Sequence, residues 1–459
     1  MMYSHEPLQE GHALSIELHL SQQHKIAQGK DTSTTSVEEG PRQSSNPGIT
    51  GAAIDHQSPT TCVGRQERWN HPRINIARLF AAFYGFVIMG LNDAAYGALI
   101  PYLEIYYNLS YTVISLIFLS PLVGYAASAP LNNVIHMRLG RRGVAFLGPG
   151  TRAIAYIVIC LHPRYPVMVV FFILAGFGNG LEDAAWNAWI GNMEKANEVL
   201  GILHGFYGLG ATLSPLIATT MVTKAKLPWY TFYYIMIGVA VTELVAGTTA
   251  FWTSTGPAYR EANPRTAEET GNRMKEALHN RVTWVCSVFF LVCVGIEVAI
   301  SGWVVVFMMK VRHAAPFAAG MGETGYWLGL TVGRVILGFV TGRLGEMTTI
   351  VAYMAIATAL QLIFWLVPNF YVSAVAVSFL GFFIGPLFPA AIVASTKRLP
   401  QHLHVASIGF AAASGAGGAC VLPFAVGAIA QAKGVQVLMP IVLAMLVANV
   451  GVWMWLLKV

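Results

Sequence analysis

LFAAFYGFVIMGLNDAAYGALIPY, residues Leu79–Tyr102, decides the fold class: twenty-four consecutive residues carry a single charge, Asp93. A bilayer is crossed by about 20 apolar residues in a helix. Eleven further runs of this kind follow: Tyr111–Ile135, Val144–Leu161, Pro166–Ile190, Leu200–Val222, Tyr230–Trp252, Val282–Met308, Thr324–Thr341, Ile350–Val367, Tyr371–Ala394, Val405–Ala430 and Val435–Leu457. The composition agrees with this reading. Hydrophobic residues make up 55% of the 459 and charged residues 11%, whereas a soluble domain carries about 25% charged residues. Lipid is therefore the expected solvent, and the fold class is an all-α membrane protein of twelve spans.

The spaces between runs give the organisation. Residues 1–75 are rich in Ser, Thr, Gln, Gly and Pro and are expected to form a disordered tail. Residues 76–255 hold six spans and 282–459 hold six more. Between them lies a polar linker, 256–281, with a surface helix expected around Ala267–His279. With both termini inside, sixteen Lys and Arg fall on the inner flanks and six on the outer ones, the sign of the positive-inside bias. Both termini are thus expected in the cytoplasm, with the chain in the plasma membrane or an internal membrane such as the vacuole. The net charge of +6 reports this orientation and implies no nucleic-acid partner. The five cysteines lack CxxC spacing, so no metal, disulfide framework or cofactor is expected.

The two sets of six share a register. Arg138-Leu-Gly140 after span 2 returns as Arg343-Leu-Gly345 after span 8, 205 residues on. Gly210-Ala-Thr-Leu-Ser-Pro215 in span 5 returns as Gly418-Ala-Cys-Val-Leu-Pro423 in span 11, 208 residues on. This register puts the counterpart of Asp93 near residue 298, and Glu297 stands beside that position. Each half thus places one carboxylate at a similar depth in its first helix.

Ionisable side chains are costly inside a bilayer and mark candidate sites. Asp93 and Glu297 are the candidates for proton coupling. In span 4, Asp183 shares a helical face with Asn179 and Asn187, while Glu182 shares another with Trp186; either acid can be the one that faces a solute. Asn92, His204 and Trp303 complete the candidate solute contacts, the last as a stacking ring. Arg152 lies about 13 Å into span 3 at 1.5 Å per residue and needs an acid, Glu182 or Asp183, as partner. Arg334 in span 8 is weighed in the same way as an ion pair or gate. Glu243 reads as isolated and structural.

These residues resemble the major facilitator superfamily. Arg138-Leu-Gly-Arg-Arg142 is similar to the family's basic loop between spans 2 and 3, although the family's glycine and aspartate fall on Asn133 and Met137 here. Within the family, Leu91-Asn-Asp93 running to Pro101, and Asp183…Asn187, resemble the fucose:proton symporter branch and its fungal relatives. The resemblance implies two pseudo-symmetric six-helix bundles working by alternating access, a span 1 aspartate that binds the proton and a span 4 acid that faces a sugar. The expected function is proton-coupled symport of a small polar solute by a monomer that is not an enzyme. The alternatives are a uniporter or exporter on the same fold, or a transporter-like sensor.

Overall fold

The computed structural model describes residues 67–262, 274–400 and 403–458, save the side chains of Asn197 and Val405. Among them, eleven helices are long and apolar enough to cross a membrane. One of these, Tyr111–Cys160, has the length of two passes and breaks at Gly140, whose φ of 74° interrupts the helix. Two helices, α2 (116–139) and α3 (141–160), therefore flank that break. The others are α1 Ile74–Tyr107, α4 Tyr165–Gly191, α5 Ala196–Thr223, α6 Phe232–Ala250, α7 Arg281–Lys310, α8 Pro316–Leu344, α9 Glu346–Leu366, α10 Phe370–Thr396, α11 His404–Lys433 and α12 Leu438–Leu456. Twelve passes result, and the fold is the expected all-α one.

Local chemistry sets the ends. Asn280 caps α7 by accepting from the Val282 amide, and Asn369 caps α10 by accepting from those of Tyr371 and Val372. Gly345, the register mate of Gly140, leaves α8 at φ 89°; only glycine adopts such a conformation without strain. Pro316 occupies the first turn of α8, so that helix begins eight residues before the expected Thr324. Gly320 and Gly322, which precede the expected start, are packing surfaces. Gly320 lies against Thr219 of α5, and Gly322 near Met308 of α7. As a result Glu323 lies inside the span. α10 is interrupted at Gly385-Pro386, between Phe370–Ile384 and Leu387–Thr396.

Lipid supplies little hydrophobic drive between helices, so close contact of small residues holds them together. Gly124 of α2 rests on the α4 backbone at Ile173 and Phe177. Gly329 of α8 rests on the α10 backbone at Ser378 and Phe382. The three positions in each contact are related by the same 205-residue step. A Cβ on either glycine would collide with a carbonyl of the facing helix. α1 packs on α5, as α7 packs on α11, and each half is built on the same plan.

Two regions depart from expectation at the polar ends. Of the expected tail, residues 1–66 lie outside the described residues, and 67–75 are bonded to the bundle: the Glu67 carboxylate accepts from Asn75 at 3.1 Å and from the Trp189 indole at 3.2 Å. Of the linker, 256–262 and 274–279 are helical, and most of the expected surface helix, 267–273, lies outside the described residues.

Contacts between the halves gather at the end away from the termini, the far end. There the Tyr111 amide donates to Gln431 at 2.7 Å, Lys310 meets Glu104 at 3.9 Å, and Trp303 packs on Tyr111 and Phe118. Ser115 meets Gly427, as Thr219 meets Gly320. Among the described residues, contacts between the halves thin toward the other end to His204 beside Phe388, with ring centres 6.3 Å apart. The halves are closed at the far end.

Candidate functional site

Two polar centres are embedded between these helices, one in each half. In the N-terminal half, Arg152 of α3 is fully buried and donates to Glu182 of α4 and, at 2.6 Å, to Glu243 of α6. Glu243 is therefore not isolated: its helix brings it to the arginine, and the two acids flank one guanidinium. A buried ion pair gains from each further hydrogen bond. Here Asn179 of α4 takes a further Arg152 donor at 3.3 Å, while Arg152 Nε and Glu243 Oε2 have no hydrogen-bond partner.

Asn179 also turns its amide NH₂ to Asp93 of α1, at 3.4 Å. Asp93 is half-buried, and its other bonds come from neutral donors: Asn92 at 2.9 Å and the Tyr207 hydroxyl of α5 at 3.1 Å. Asn92 also donates to the Tyr96 oxygen at 2.8 Å and accepts from Tyr156 at 3.1 Å. The carboxylate thus touches no cation directly. Helix spacing explains the arrangement: on α4, Asn179 and Glu182 are three residues apart and share a face toward α3. Asp183 is displaced from that face. It is half-buried and accepts from Asn187 at 2.8 Å.

In the C-terminal half, Glu297 of α7 meets Arg334 of α8 through both carboxylate oxygens, at 3.0 and 2.9 Å, and Arg334 also donates to the Gly385 carbonyl at 3.1 Å. That carbonyl lies at the interruption of α10.

The structure brings Asn92, Asp93, Asn179, Glu182 and Arg152 into one network, pairs Glu297 with Arg334, and holds Asp183 to Asn187. It does not bring the two tryptophans to this network. Trp186 is 2% exposed and stacks on Phe251, with ring centres 4.5 Å apart. Trp303 is buried at the far end and donates to the Pro423 carbonyl at 2.8 Å. His204 packs edge-on to Phe86 at 5.6 Å, near the end that bears the termini. Tyr207 and Tyr156 were missed from sequence, and so was the partner of Glu243. A tyrosine hydroxyl within an apolar span needs a partner, and that is the signal that marks Tyr207 three residues after His204.

The family model of the Major Facilitator Superfamily matches residues 82–423. Bypass of stop codon protein 6 of Saccharomyces cerevisiae is 28% identical over 399 residues, covering 80% of each chain. The glucose/mannose transporter GlcP of Bacillus subtilis is 21% identical over 372 residues, covering 80% of this chain and 91% of that one. Among solved structures, a bacterial homologue of the human lysosomal transporter Spinster, in an inward-facing and unoccupied conformation, superposes with a TM-score of 0.66 at 12% identity; the match covers 84% of this chain and 97% of that one. With its twelve helices in two like halves, the chain belongs to the Major Facilitator Superfamily and is a multi-pass membrane transporter of small solutes, not an enzyme.

Proposed function

We propose that the chain is a proton-coupled symporter of a small polar solute, with sugars as the first class to test. The observation that carries this reading is the setting of Asp93. Three buried carboxylates, Glu182, Glu243 and Glu297, each touch an arginine, whereas Asp93 is held by neutral donors and is partly open between the helices. A carboxyl group so placed can gain and lose a proton without breaking an ion pair. In this reading Asp93 carries the coupled proton. Asn92, Asn179, Asp183 and Asn187 offer the donors and acceptors that a polyhydroxylated solute needs. Arg334–Glu297 serves as a charge pair beside the α10 interruption, and Arg152 with its two acids as the fixed wall behind Asn179. The similarity to a glucose/mannose transporter supports sugars as the solute class. The charge asymmetry of the loops supports cytoplasmic termini, and the chain is taken to act as a monomer.

Proteoliposomes loaded with a sugar panel and given an inward proton gradient test the reading. Wild-type protein is expected to accumulate its solute under the gradient, and Asp93→Asn is expected to bind and exchange it without accumulating it. Undiminished gradient-driven accumulation by Asp93→Asn would sink the assignment.

A further inference from the structure

Glu323 of α8 is a third kind of acid. It is fully buried, and no arginine or lysine touches it. Its Oε1 accepts from the Ser301 hydroxyl of α7 at 2.9 Å, and that hydroxyl in turn accepts from the Trp327 indole at 2.9 Å. Its Oε2 has no hydrogen-bond partner. The carboxyl group lies across the boundary between halves, against Gly97 of α1: a Cβ on Gly97 would come within 2.5 Å of Oε1.

The register explains what is unusual here. Gly97 and Gly302 are 205 residues apart, and so are Phe118 and Glu323. The mirror contact is Gly302 of α7 against the Phe118 ring of α2, where a Cβ would come within 2.5 Å of Cζ. Two equivalent contacts therefore close the far end. One is a phenyl ring on a glycine, a contact that contains no titratable group. The other puts a carboxyl group where the plan of the fold places that ring.

We propose that Glu323 is a proton-binding latch for the far end. It is protonated while sealed against Gly97, and it is ionised and hydrated once the halves part there. A carboxylate charge sealed from water with no cation is strongly disfavoured, so the closed contact needs the neutral acid. Opening brings water to the carboxyl group and frees its proton. Other groups do not account for this site. Among the titratable residues on the packed helices are Asp93, Tyr96, Tyr102 and Glu104 on α1, Cys293, Glu297 and Lys310 on α7, His204 and Tyr207 on α5, Lys224 just after α5, and Tyr326 and Arg334 on α8 itself. Asp93, Glu104, Glu297 and Arg334 have the separate partners given above, and Lys224 sits over the Phe317 ring. Tyr326 donates to the Glu297 carbonyl at 3.1 Å, and Tyr96 and Tyr207 belong to the Asp93 network. The latch is independent of the coupling role given to Asp93.

The test is a distance across the far end. Nitroxide labels on Arg164→Cys and Pro368→Cys, in an otherwise cysteine-free full-length chain in lipid nanodiscs, report the separation of the halves by pulsed electron resonance. Measurements run from about pH 5 to about pH 9, the span over which buried carboxyl groups titrate. Wild type is expected to shift from the short to the long separation as pH rises. Glu323→Gln, which keeps the Ser301 bond, should hold the short separation throughout. Glu323→Phe copies the mirror contact, should do the same, and covers the case of a misfolded glutamine variant. The shift should persist in Asp93→Asn. A wild-type separation insensitive to pH, an unchanged shift in both Glu323 variants, or loss of the shift in Asp93→Asn each overturns the latch.

Discussion

Asp93 and Glu297 occupy matching depths in the first helix of each half, yet their surroundings differ. Glu297 is clasped by Arg334 through both oxygens. The position that matches Arg334 in the N-terminal half, 205 residues earlier, is Ala129. Asp93 therefore has no arginine from α2 and is held by Tyr207, Asn92 and Asn179 instead. The arginine of that half, Arg152, comes from α3 and is occupied by Glu182 and Glu243. A duplicated plan thus holds one acid in a fixed charge pair and leaves the other with neutral donors, as the proposed proton carrier needs. Charge placement, and not helix packing, is where the two halves have parted.

The largest effect should come from neutralising the free acid. Asp93→Asn is expected to abolish gradient-driven accumulation, which is worth about tenfold per unit of pH gradient. Its cost in stability should be no more than about 1 kcal/mol, because no ion pair is broken. Uptake and denaturant unfolding measured on one preparation separate these two readouts.

The paired acid should behave in the opposite way. Arg334→Met leaves Glu297 buried and unpaired and should cost about 3 kcal/mol of stability. The double variant Arg334→Met/Glu297→Leu should recover most of that loss. If the single variant unfolds like wild type, the contrast between the halves fails on its structural side.

A smaller effect is expected within the Arg152 cluster. Glu243→Gln keeps a hydrogen-bond acceptor for the guanidinium while Glu182 still supplies a charge, so the stability change should stay within about 1 kcal/mol. Arg152→Met, by contrast, strands two acids and should be the more damaging change, by about 3 kcal/mol or more. Equal losses from the two variants would show that the acids are not redundant partners.

The smallest effect concerns one hydroxyl. Tyr207→Phe removes a donor to the ionised form of Asp93, so the pH of half-maximal uptake should move toward alkaline values by less than about one unit. A pH profile of initial rates measures this. Tyr207 donates to Asp93 and not to Glu297, whose oxygens accept from Arg334.

Much of this architecture could be read from the chain. Long apolar runs report helices directly, and the register between Arg138-Leu-Gly140 and Arg343-Leu-Gly345 recurs as two backbone breaks with φ of 74° and 89°. What stayed hidden was partnership across helices. Glu243 has nothing near it in sequence, and only the approach of α6 to α3 delivers it to Arg152. Glu323 went unnoticed because Gly320 and Gly322 imitate a loop, whereas in the bundle they give α5 and α7 room to approach. Trp186 and Trp303 read as stacking platforms because periodicity shows which residues share a face but not what that face meets.

Asn179 has a consequence for thermodynamic linkage. Its carbonyl oxygen is committed to Arg152 and its NH₂ to Asp93, so one side-chain amide spans the fixed charge and the proposed proton carrier. A ligand that draws this amide toward itself must take an acceptor from the arginine or a donor from the carboxylate. Either exchange changes how tightly Asp93 holds its proton, and reciprocity requires the proton to change the ligand's affinity by the same factor. A single rotatable amide is thus sufficient to make two binding events interdependent before any helix has moved.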